Sequence, residues 1–221
     1  PEALGKRKID GEDNCDSKKL QATISIEGPL SLESPVLMLP ITEQEIFSEV
    51  YTGILGGKSF VIHGLYQSGK TSFLLLWALE ETLKKKKEPN STTTVVYLDM
   101  SDISKNCNQM DAEEAFSHFM SFSIFGQTLS WSELVGQLQH LSPNSRLYLL
   151  ADEFQFVFHA SDLLQVACDF FRNLSSKKAV SYVSVGTFKL MELQDDDGNL
   201  DSPFNKAAFC EMPFFTHAEA F

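Results

Sequence analysis

Short apolar runs alternate along the chain with longer segments in which apolar residues recur every three or four positions. Runs of the first kind are typical of buried strands, and they are "KSFVIHG", "TVVYLDMSD", "LYLLADEFQ" and "AVSYVSVGTF". Segments of the second kind are typical of helices, among them "TSFLLLWALEETLKKKK" and "SDLLQVACDFFRNLSS". Strands that alternate with helices predict an α/β fold: a mainly parallel sheet covered by helices on both faces, in three α/β/α layers.

Helix-end signals support this division of the chain. Thr42 and Glu45 have the spacing of a capping box at the start of "LPITEQEIFSEVYTGILGG", and the two glycines end that helix. Ser130 is expected to cap "WSELVGQLQHL". The four lysines at 84–87 lie at the end of a predicted helix, where cations offset the helix dipole, which favours a structural role over nucleic-acid binding.

The start of the chain differs in composition from the rest. Lys, Asp, Glu, Ser and Gly dominate "GKRKIDGEDNCDSKK", which predicts a disordered linker over residues 1–35. The 221-residue chain is 43% hydrophobic, enough for one sizeable core, which we place at 36–221. Because the chain begins at Pro1 and ends at Phe221 within the start of a predicted helix, we expect it to be part of a longer protein.

Charge and cysteine content narrow the choice of partners. The formal net charge is -12, and an acidic surface repels phosphate backbones, so no direct nucleic-acid binding is expected from this segment. The four cysteines include no CxxC pair, which is typical of a reducing, intracellular compartment. No apolar stretch reaches membrane-spanning length, so no membrane association is expected.

The segment "GLYQSGKT" at 64–71 matches G-x-x-x-x-G-K-[ST] and stands between a predicted strand and a predicted helix, as a phosphate-binding loop requires. Glycines let such a loop turn its N–H groups toward a phosphate, and the following helix adds its positive end. Lys70 is expected to reach the β- and γ-phosphates, and Thr71 to place its hydroxyl on Mg²⁺. The predicted nucleotide-binding residues are Gly64, Gln67, Ser68, Gly69, Lys70, Thr71 and Ser72.

A second motif is "RLYLLADEF", in which an apolar strand ends in Asp152 and Glu153. Ligands of α/β sheets gather at the carboxyl ends of the strands, where both acids are therefore expected. Asp152 is predicted to hold Mg²⁺ through water, and Glu153 to orient and polarise an attacking water. The adjacent glutamate favours hydrolysis over simple holding of a nucleotide. Taken alone, the motif has a common alternative, an Asp that caps a helix.

The order of the motifs favours ATP as the nucleotide. One whole predicted strand, "TVVYLDMSD", separates the phosphate loop from the Asp-Glu strand in sequence. This order resembles the additional-strand catalytic-glutamate division of P-loop ATPases. The guanine-reading sequence N-K-x-D is absent, because Asn205-Lys206 is followed by two alanines. The predicted ligands are therefore ATP and Mg²⁺.

Two further features concern the γ-phosphate. Thr187 follows the fourth predicted strand, at the place where a polar residue senses the γ-phosphate in related ATPases; a Thr that caps a turn is the alternative. None of the three arginines is an evident arginine finger. Arg7 lies in the linker, Arg146 starts a strand at the end away from the site, and Arg172 is expected in a surface salt bridge.

Other titratable residues are expected to be structural. The run "QDDDGNLDSPFN" lacks the glycine and glutamate positions of an EF-hand, and the histidines have no metal-ligand spacing. His63, in the first predicted strand, is expected to be a core residue with its hydrogen bonds satisfied. Cys168 is expected to pack within an apolar helix.

The motifs "GLYQSGKT", "LYLLADEFQ", "VSVGTF", "SPFN" and "MPFFTHAEAF" occur in the order seen in STAND/AAA+-like P-loop ATPases, and this resemblance covers roughly residues 36–221. It implies an ATPase core truncated before a lid domain. STAND proteins often place an Arg just after the fourth strand, whereas "GTFKL" offers only Lys189. More narrowly, the chain resembles the ATPase module of Crinkler-type effectors of filamentous microbes, which implies flanking domains, secretion into a host cell and action there, often in the nucleus.

The sequence therefore predicts an ATPase that cleaves the β–γ phosphoanhydride and uses Glu153, Lys70 and Thr187 as catalytic residues. Hydrolysis is expected to drive a conformational or signalling switch in a homo-oligomer or dimer. Two alternatives stay open. One is a nucleotide-controlled scaffold with little turnover, and the other is a motor or nuclease partner that depends on nucleic acid.

Overall fold

The computed structural model describes residues 45–65, 68–88, 91–106, 110–142, 144–174, 177, 179–193, 204 and 207–212. Its α-helices are α1 (Glu45–Leu55), α2 (Lys70–Lys87), α3 (Ser101–Asn106), α4 (Ala112–Phe125), α5 (Trp131–Gln139) and α6 (Ser161–Leu174). Its strands are β1 (Ser59–His63), β2 (Thr93–Asp99), β3 (Arg146–Asp152), β4 (Val180–Gly186) and β5 (Ala207–Glu211). Two 3₁₀ helices, Phe154–His159 and Phe188–Leu193, follow β3 and β4.

The described strands form one sheet in the order β2-β3-β4-β1-β5, and each neighbouring pair is parallel. The carboxyl ends of the strands lie level, because His63 pairs with both Gly186 and Glu211, and Asp99 pairs with Asp152. The segments that follow these strands therefore meet at one end of the sheet, where parallel sheets bind their ligands. The predicted α/β fold with a mainly parallel sheet is confirmed.

The strand that separates the phosphate-loop strand from the Asp-Glu strand is β4. In the sheet, β4 pairs with β1 on one side and with β3 on the other. The strand "TVVYLDMSD", which stands between the two motifs in sequence, forms β2 at the outside of the sheet. Sequence order does not give spatial order when each crossover helix can carry the chain past a neighbouring strand.

Alternate side chains of β3 enter two different buried clusters, one on each face of the sheet. Leu147 and Leu149 join a cluster that contains Phe171 of α6 and residues of α3, α4 and α5. Leu150 joins a second cluster that contains Trp77 of α2 and residues of α1. Both Trp77 and Phe171 are fully buried. Successive strand residues point to opposite faces, so helices cover both faces of the sheet, as the three-layer prediction requires.

The strands β2 and β3 both end earlier than the sequence predicted. The strand β2 ends at Asp99, and α3 begins at Ser101. The six residues of α3, "SDISKN", are too few to show the apolar repeat that identifies a helix in a sequence. The strand β3 ends at Asp152, because Glu153 has a φ of +52° and leaves the extended conformation. Asp99 and Asp152 are therefore the last residues of their strands.

The described helix ends agree with the predicted caps. Ser130 and Glu133 form a capping box at the start of α5. The helix α1 ends at Leu55, and Gly57 follows with a φ of +86°. Thr42, predicted to cap α1, lies outside the described residues.

Several other predictions also fall outside the described ranges. They are the linker at 1–35, the acidic run at 194–203 and the apolar segment at 213–221. The predicted domain boundary at 35/36 therefore stays a prediction. In the part of the chain that the structure describes, no helix is both long and apolar enough to cross a membrane.

Candidate active site

The loop between β1 and α2 contains glycines at positions that exclude a side chain. Gly69 precedes α2 with a φ of +87°, a left-handed conformation that glycine adopts at little cost. A Cβ at Gly64 would lie 3.1 Å from the Cβ of Met212 and 3.4 Å from the Oγ of Ser68. The loop therefore packs closely against the residue that follows β5. Gln67 lies outside the described residues, and its role stays a prediction.

Lys70, the first residue of α2, turns its side chain back into this loop. Its Nζ donates hydrogen bonds to the carbonyl oxygens of Gly64 (3.2 Å) and Leu65 (2.6 Å) and to the Oγ of Ser68 (3.0 Å). Burial lowers the pKa of the Lys70 ammonium, while the carboxylates of Glu153 and Asp152 oppose that change. The loop thus holds a cation that is electrostatically coupled to the Asp-Glu motif.

Thr71 and Ser72 lie in the first turn of α2, directly after Lys70, and both are half-buried. No acidic residue occurs in this turn. The partial positive charge of the helix end is therefore not offset from within the turn. A loop with inward-facing polar groups at such a helix end can bind an anion such as a phosphate.

Asp152, the last residue of β3, is 2% exposed and keeps a hydrogen-bond partner on each carboxylate oxygen. Its Oδ2 accepts from the hydroxyl of Tyr97 at 2.7 Å, and its Oδ1 accepts from the backbone N–H of Glu153 at 2.9 Å. Burial, followed by the charge of Asp152, strongly raises the pKa of Tyr97, so the hydroxyl stays a donor. The carboxylate is fixed in place, as a residue that positions a metal requires.

Two residues of β2 were missed as members of this site. Tyr97 reaches Asp152 from the neighbouring strand. Asp99 is the register partner of Asp152, and its Oδ1 accepts from the backbone N–H of Ser101 at 3.0 Å. The sequence signal for Asp99 was the acidic end of "TVVYLDMSD".

Glu153 combines a strained backbone with a perturbed carboxyl group. It is the non-glycine residue with a positive φ, +52°, in the described part of the chain. Burial raises the pKa of its carboxyl, and the nearby Asp152 raises it further, while Gln155 and Lys70 act in the opposite direction. Strained backbone and perturbed acids are both common at functional sites. Glu153 therefore fits a residue whose placement serves chemistry.

Gln155, which the sequence interpretation passed over, connects Glu153 to the end of β4. Its Nε2 donates a short hydrogen bond to Oε2 of Glu153. Its Oε1 accepts from the backbone N–H of Thr187 at 3.3 Å. Thr187 thus joins the site through its backbone, and its predicted side-chain role as a γ-phosphate sensor stays a prediction. The only sequence signal for Gln155 was an amide two residues after the glutamate, in "DEFQ".

His63, the last residue of β1, is 6% exposed, so its predicted burial is confirmed. Its Nδ1, however, has no hydrogen-bond partner within the described residues, so the prediction of a satisfied ring is wrong for that atom. The ring lies 5.6 Å from the ring of Phe188, centroid to centroid. Burial lowers the pKa of His63, and Lys70 lowers it further against the opposite effect of Glu211. The ring packs against the 3₁₀ helix that follows β4.

The two described arginines and Cys168 lie where the sequence predicted them. Arg172 forms an ion pair with Asp169 within α6, at 2.9 Å between Nη1 and Oδ1. Arg146 is the first residue of β3, at the end of the strand opposite Asp152. Cys168 is buried in α6, and burial raises the pKa of its thiol to about 11. Over the described ranges, no group of three or more His, Cys, Asp and Glu side chains could hold a metal ion.

No protein-family model and no curated protein matches the chain, whereas solved structures do. The Aeropyrum pernix ORC1 protein in complex with DNA has a TM-score of 0.55 at 17% identity, over 82% of this chain and 47% of that chain. The Aeropyrum pernix ORC2 protein, in ADPNP–ADP complexes, has a TM-score of 0.54 at 12% identity, over 83% and 50%. The Walker-type ATPase PABY2304 of Pyrococcus abyssi has a TM-score of 0.50 at 13% identity, over 80% and 55%.

The chain has an α/β fold of the P-loop NTPase type. At these identities the likeness concerns the fold alone, and the chain spans about half the length of the structures it matches. The likeness agrees with the P-loop fold that the resemblance drawn from the motifs implied, and the AAA+ part of that resemblance stays a prediction. The STAND and Crinkler parts stay predictions.

The prediction that this segment does not bind nucleic acid directly is wrong. It relied on a net charge of -12. The Aeropyrum pernix ORC1 protein, which has the same fold, is in complex with DNA. Net charge sums over the whole chain, whereas contacts with DNA depend on local patches and on the element that meets the groove. The acidic composition therefore does not exclude DNA as a partner.

Proposed function

We propose that this chain binds ATP together with Mg²⁺ and hydrolyses the β–γ phosphoanhydride. The observation that supports this most strongly is the meeting of two motifs at one end of the sheet. Lys70 begins α2 directly after the loop that follows β1, and its ammonium feels the charges of Asp152 and Glu153 at the end of β3. A cation for the phosphates and an acid pair for metal and water are the parts that phosphoryl transfer to water needs.

Oxygen donors at this site fit magnesium. Mg²⁺ is usually bound by one or two carboxylates together with substrate phosphates and several waters, so it does not need a cluster of three side chains. Thr71 would supply a hydroxyl, and Asp152 a buried carboxylate already fixed by Tyr97 and by the backbone of Glu153. When bound, the metal supplies positive charge to the phosphates.

The other residues of the site would bind the phosphates and act on the attacking water. Backbone N–H groups of the loop and the first turn of α2 would bind the phosphate oxygens, and Lys70 would leave its loop acceptors for the β- and γ-phosphates. Glu153 would accept a hydrogen bond from the attacking water. Its raised pKa makes the carboxylate a better proton acceptor once it is ionised. Thr187 would sense the γ-phosphate from the end of β4.

Binding is tested most simply by replacing Lys70. The ammonium would make charge-assisted bonds to phosphate, so Lys70→Ala should weaken ATP affinity by about 10- to 100-fold. Lys58→Ala is the matched control, because Lys58 is an exposed lysine of the loop before β1. Calorimetric titration of each variant with ATP and Mg²⁺ gives the comparison. Normal affinity in Lys70→Ala would contradict the proposal.

A nucleotide-controlled switch with little turnover is the first alternative. Both arginines of the described residues have places away from the loop: Arg146 is exposed at the far end of β3, and Arg172 is in an ion pair with Asp169. Such a switch would bind ATP and release it unchanged. Measurement of phosphate release by wild-type chain separates a switch from an ATPase directly.

DNA-linked activity is a second candidate, favoured by the DNA complex of the Aeropyrum pernix ORC1 protein. Phosphate release should then rise when duplex DNA is added. Because log affinity for DNA falls with log salt, the stimulation should also weaken as salt is raised. Turnover that is independent of DNA at low salt would exclude this role.

A further inference from the structure

One side-chain amide links the two parts of the site that follow β3 and β4. Gln155 lies in the 3₁₀ helix after β3 and is half-buried. Its Nε2 donates to Oε2 of Glu153, and its Oε1 accepts from the backbone N–H of Thr187 at 3.3 Å. The segment next to the proposed water-polarising acid is thus bonded to the segment proposed to sense the γ-phosphate.

A primary amide satisfies the chemistry of both contacts. A carboxylate accepts and a backbone N–H donates, so the linking group must donate on one side and accept on the other. Glutamine does both within one planar group. A glutamate at 155 would keep the acceptor for Thr187 but would set a second carboxylate against Glu153. A methionine would keep the length of the side chain and lose both hydrogen bonds.

Room for the amide comes from a glycine on the neighbouring strand. A Cβ at Gly186 would lie 2.5 Å from Oε1 of Gln155, a distance that real contacts do not show. The last residue of β4 therefore has to be small for Gln155 to reach Thr187. The position of the amide is therefore fixed by contacts with Glu153, with Thr187 and with Gly186.

The position of Glu153 also needs such a partner. Its carboxylate is near those of Asp152 and Asp99, which repel it, and its backbone is in the left-handed region. The positive charge of Lys70 opposes that repulsion. Without the amide, the carboxylate would be free to turn away from its acidic neighbours into another rotamer.

We propose that Gln155 is a positioning residue, which fixes the direction of the Glu153 carboxylate and ties it to the end of β4 at Thr187. The inference rests on the proposed ATPase function of the same site. Gln155 acts through Glu153 and does not touch the substrate. Loss of the amide should therefore slow the chemical step and leave nucleotide binding to the loop intact.

The test compares Gln155→Met and Gln155→Glu with wild-type chain. Steady-state phosphate release gives kcat for MgATP, and calorimetry gives the Kd for the non-hydrolysable analogue ADPNP with Mg²⁺. Residues that orient a catalytic group typically contribute about 10- to 100-fold to activity, so kcat should fall by that factor in both variants. The Kd should change less than about threefold. Gln165→Met, an exposed glutamine of α6 bonded to Asp169, is the matched control and should change neither value.

The kinetic and binding results together show whether Gln155 positions Glu153. Urea unfolding of each variant gives its stability. Unchanged kcat in both variants would overturn the inference. A kcat that falls only together with ADPNP affinity or with the midpoint of urea unfolding would also overturn it, because it would show a structural role. Wild-type activity in Gln155→Glu alone would also overturn it, because the anchor to Thr187 would then suffice. Failure of the proposed function looks different: wild-type chain would show no turnover at all, and both proposals would fall together.

Discussion

Glu153 has a backbone conformation that suits glycine, so substitutions here separate the stability of the site from its chemistry. Its φ of +52° lies in the left-handed region, which costs a residue with a side chain roughly 1–2 kcal/mol. Glu153→Gly removes that cost, and Glu153→Ala keeps it. Both variants remove the carboxylate, so neither should hydrolyse ATP. We expect the glycine variant to be the more stable of the two inactive proteins.

The difference in free energy of unfolding between Glu153→Gly and Glu153→Ala comes from the energetic effects that the two variants do not share. Both variants lose the hydrogen bond from Gln155 and the repulsion by Asp152, so these effects are equal. Glycine regains about 1–2 kcal/mol in the folded chain and loses about 0.5–1 kcal/mol through the greater freedom of the unfolded chain. With the midpoints of these two ranges, the free energy of unfolding of Glu153→Gly should exceed that of Glu153→Ala by about 0.75 kcal/mol.

Urea unfolding of nucleotide-free protein measures this difference, provided that the slope with urea is the same in both variants. The matched control is the same pair of substitutions at Glu113, an exposed residue in the first turn of α4. In a helix the order reverses, and Glu113→Gly should be less stable than Glu113→Ala by about 0.5–1 kcal/mol. A Glu153→Ala variant that is as stable as Glu153→Gly would refute the argument from strain.

Two other predictions concern buried groups. Tyr97→Phe removes the 2.7 Å hydrogen bond to the buried carboxylate of Asp152, so the free energy of unfolding in urea should fall by about 1.5–3 kcal/mol; equal stability would mean that the bond contributes nothing. Cys168 has a thiol pKa raised to about 11 by burial, so its alkylation at pH 8, followed by peptide mass spectrometry, should be at least about 100-fold slower in folded than in urea-unfolded protein. Similar rates in the two states would place the thiol at the surface.

Sequence alone predicted those parts of the site that are contiguous in the chain. The loop around Lys70 needs a strand before it and a helix after it, and the pair Asp152-Glu153 needs an apolar strand before it. Both requirements are visible as local hydrophobic patterns. The parallel sheet followed from the alternation of strands and helices, because parallel strands need long crossovers.

Contacts between distant residues could not be predicted in this way. Tyr97 and Asp152 are 55 residues apart, and Gln155 and Thr187 are 32 apart. These contacts depend on which strands are neighbours, and the position of β4 between β1 and β3 is set by packing of the whole sheet. The strain at Glu153 likewise depends on the tertiary structure around it. The error about nucleic acid had a different cause, because a total charge carries no information about local patches.

The substitution Glu153→Gln shows whether one acid at the end of β3 converts ATP binding into hydrolysis. This substitution keeps the shape of the side chain and removes the charge. Phosphate release from MgATP and the Kd for ATP are measured for wild-type chain and for the variant. We expect the wild-type chain to release phosphate and the variant to do so at least about 100-fold more slowly, with an ATP affinity within about threefold of wild type. Undiminished turnover in Glu153→Gln, or a wild-type chain that binds no ATP, would contradict this expectation.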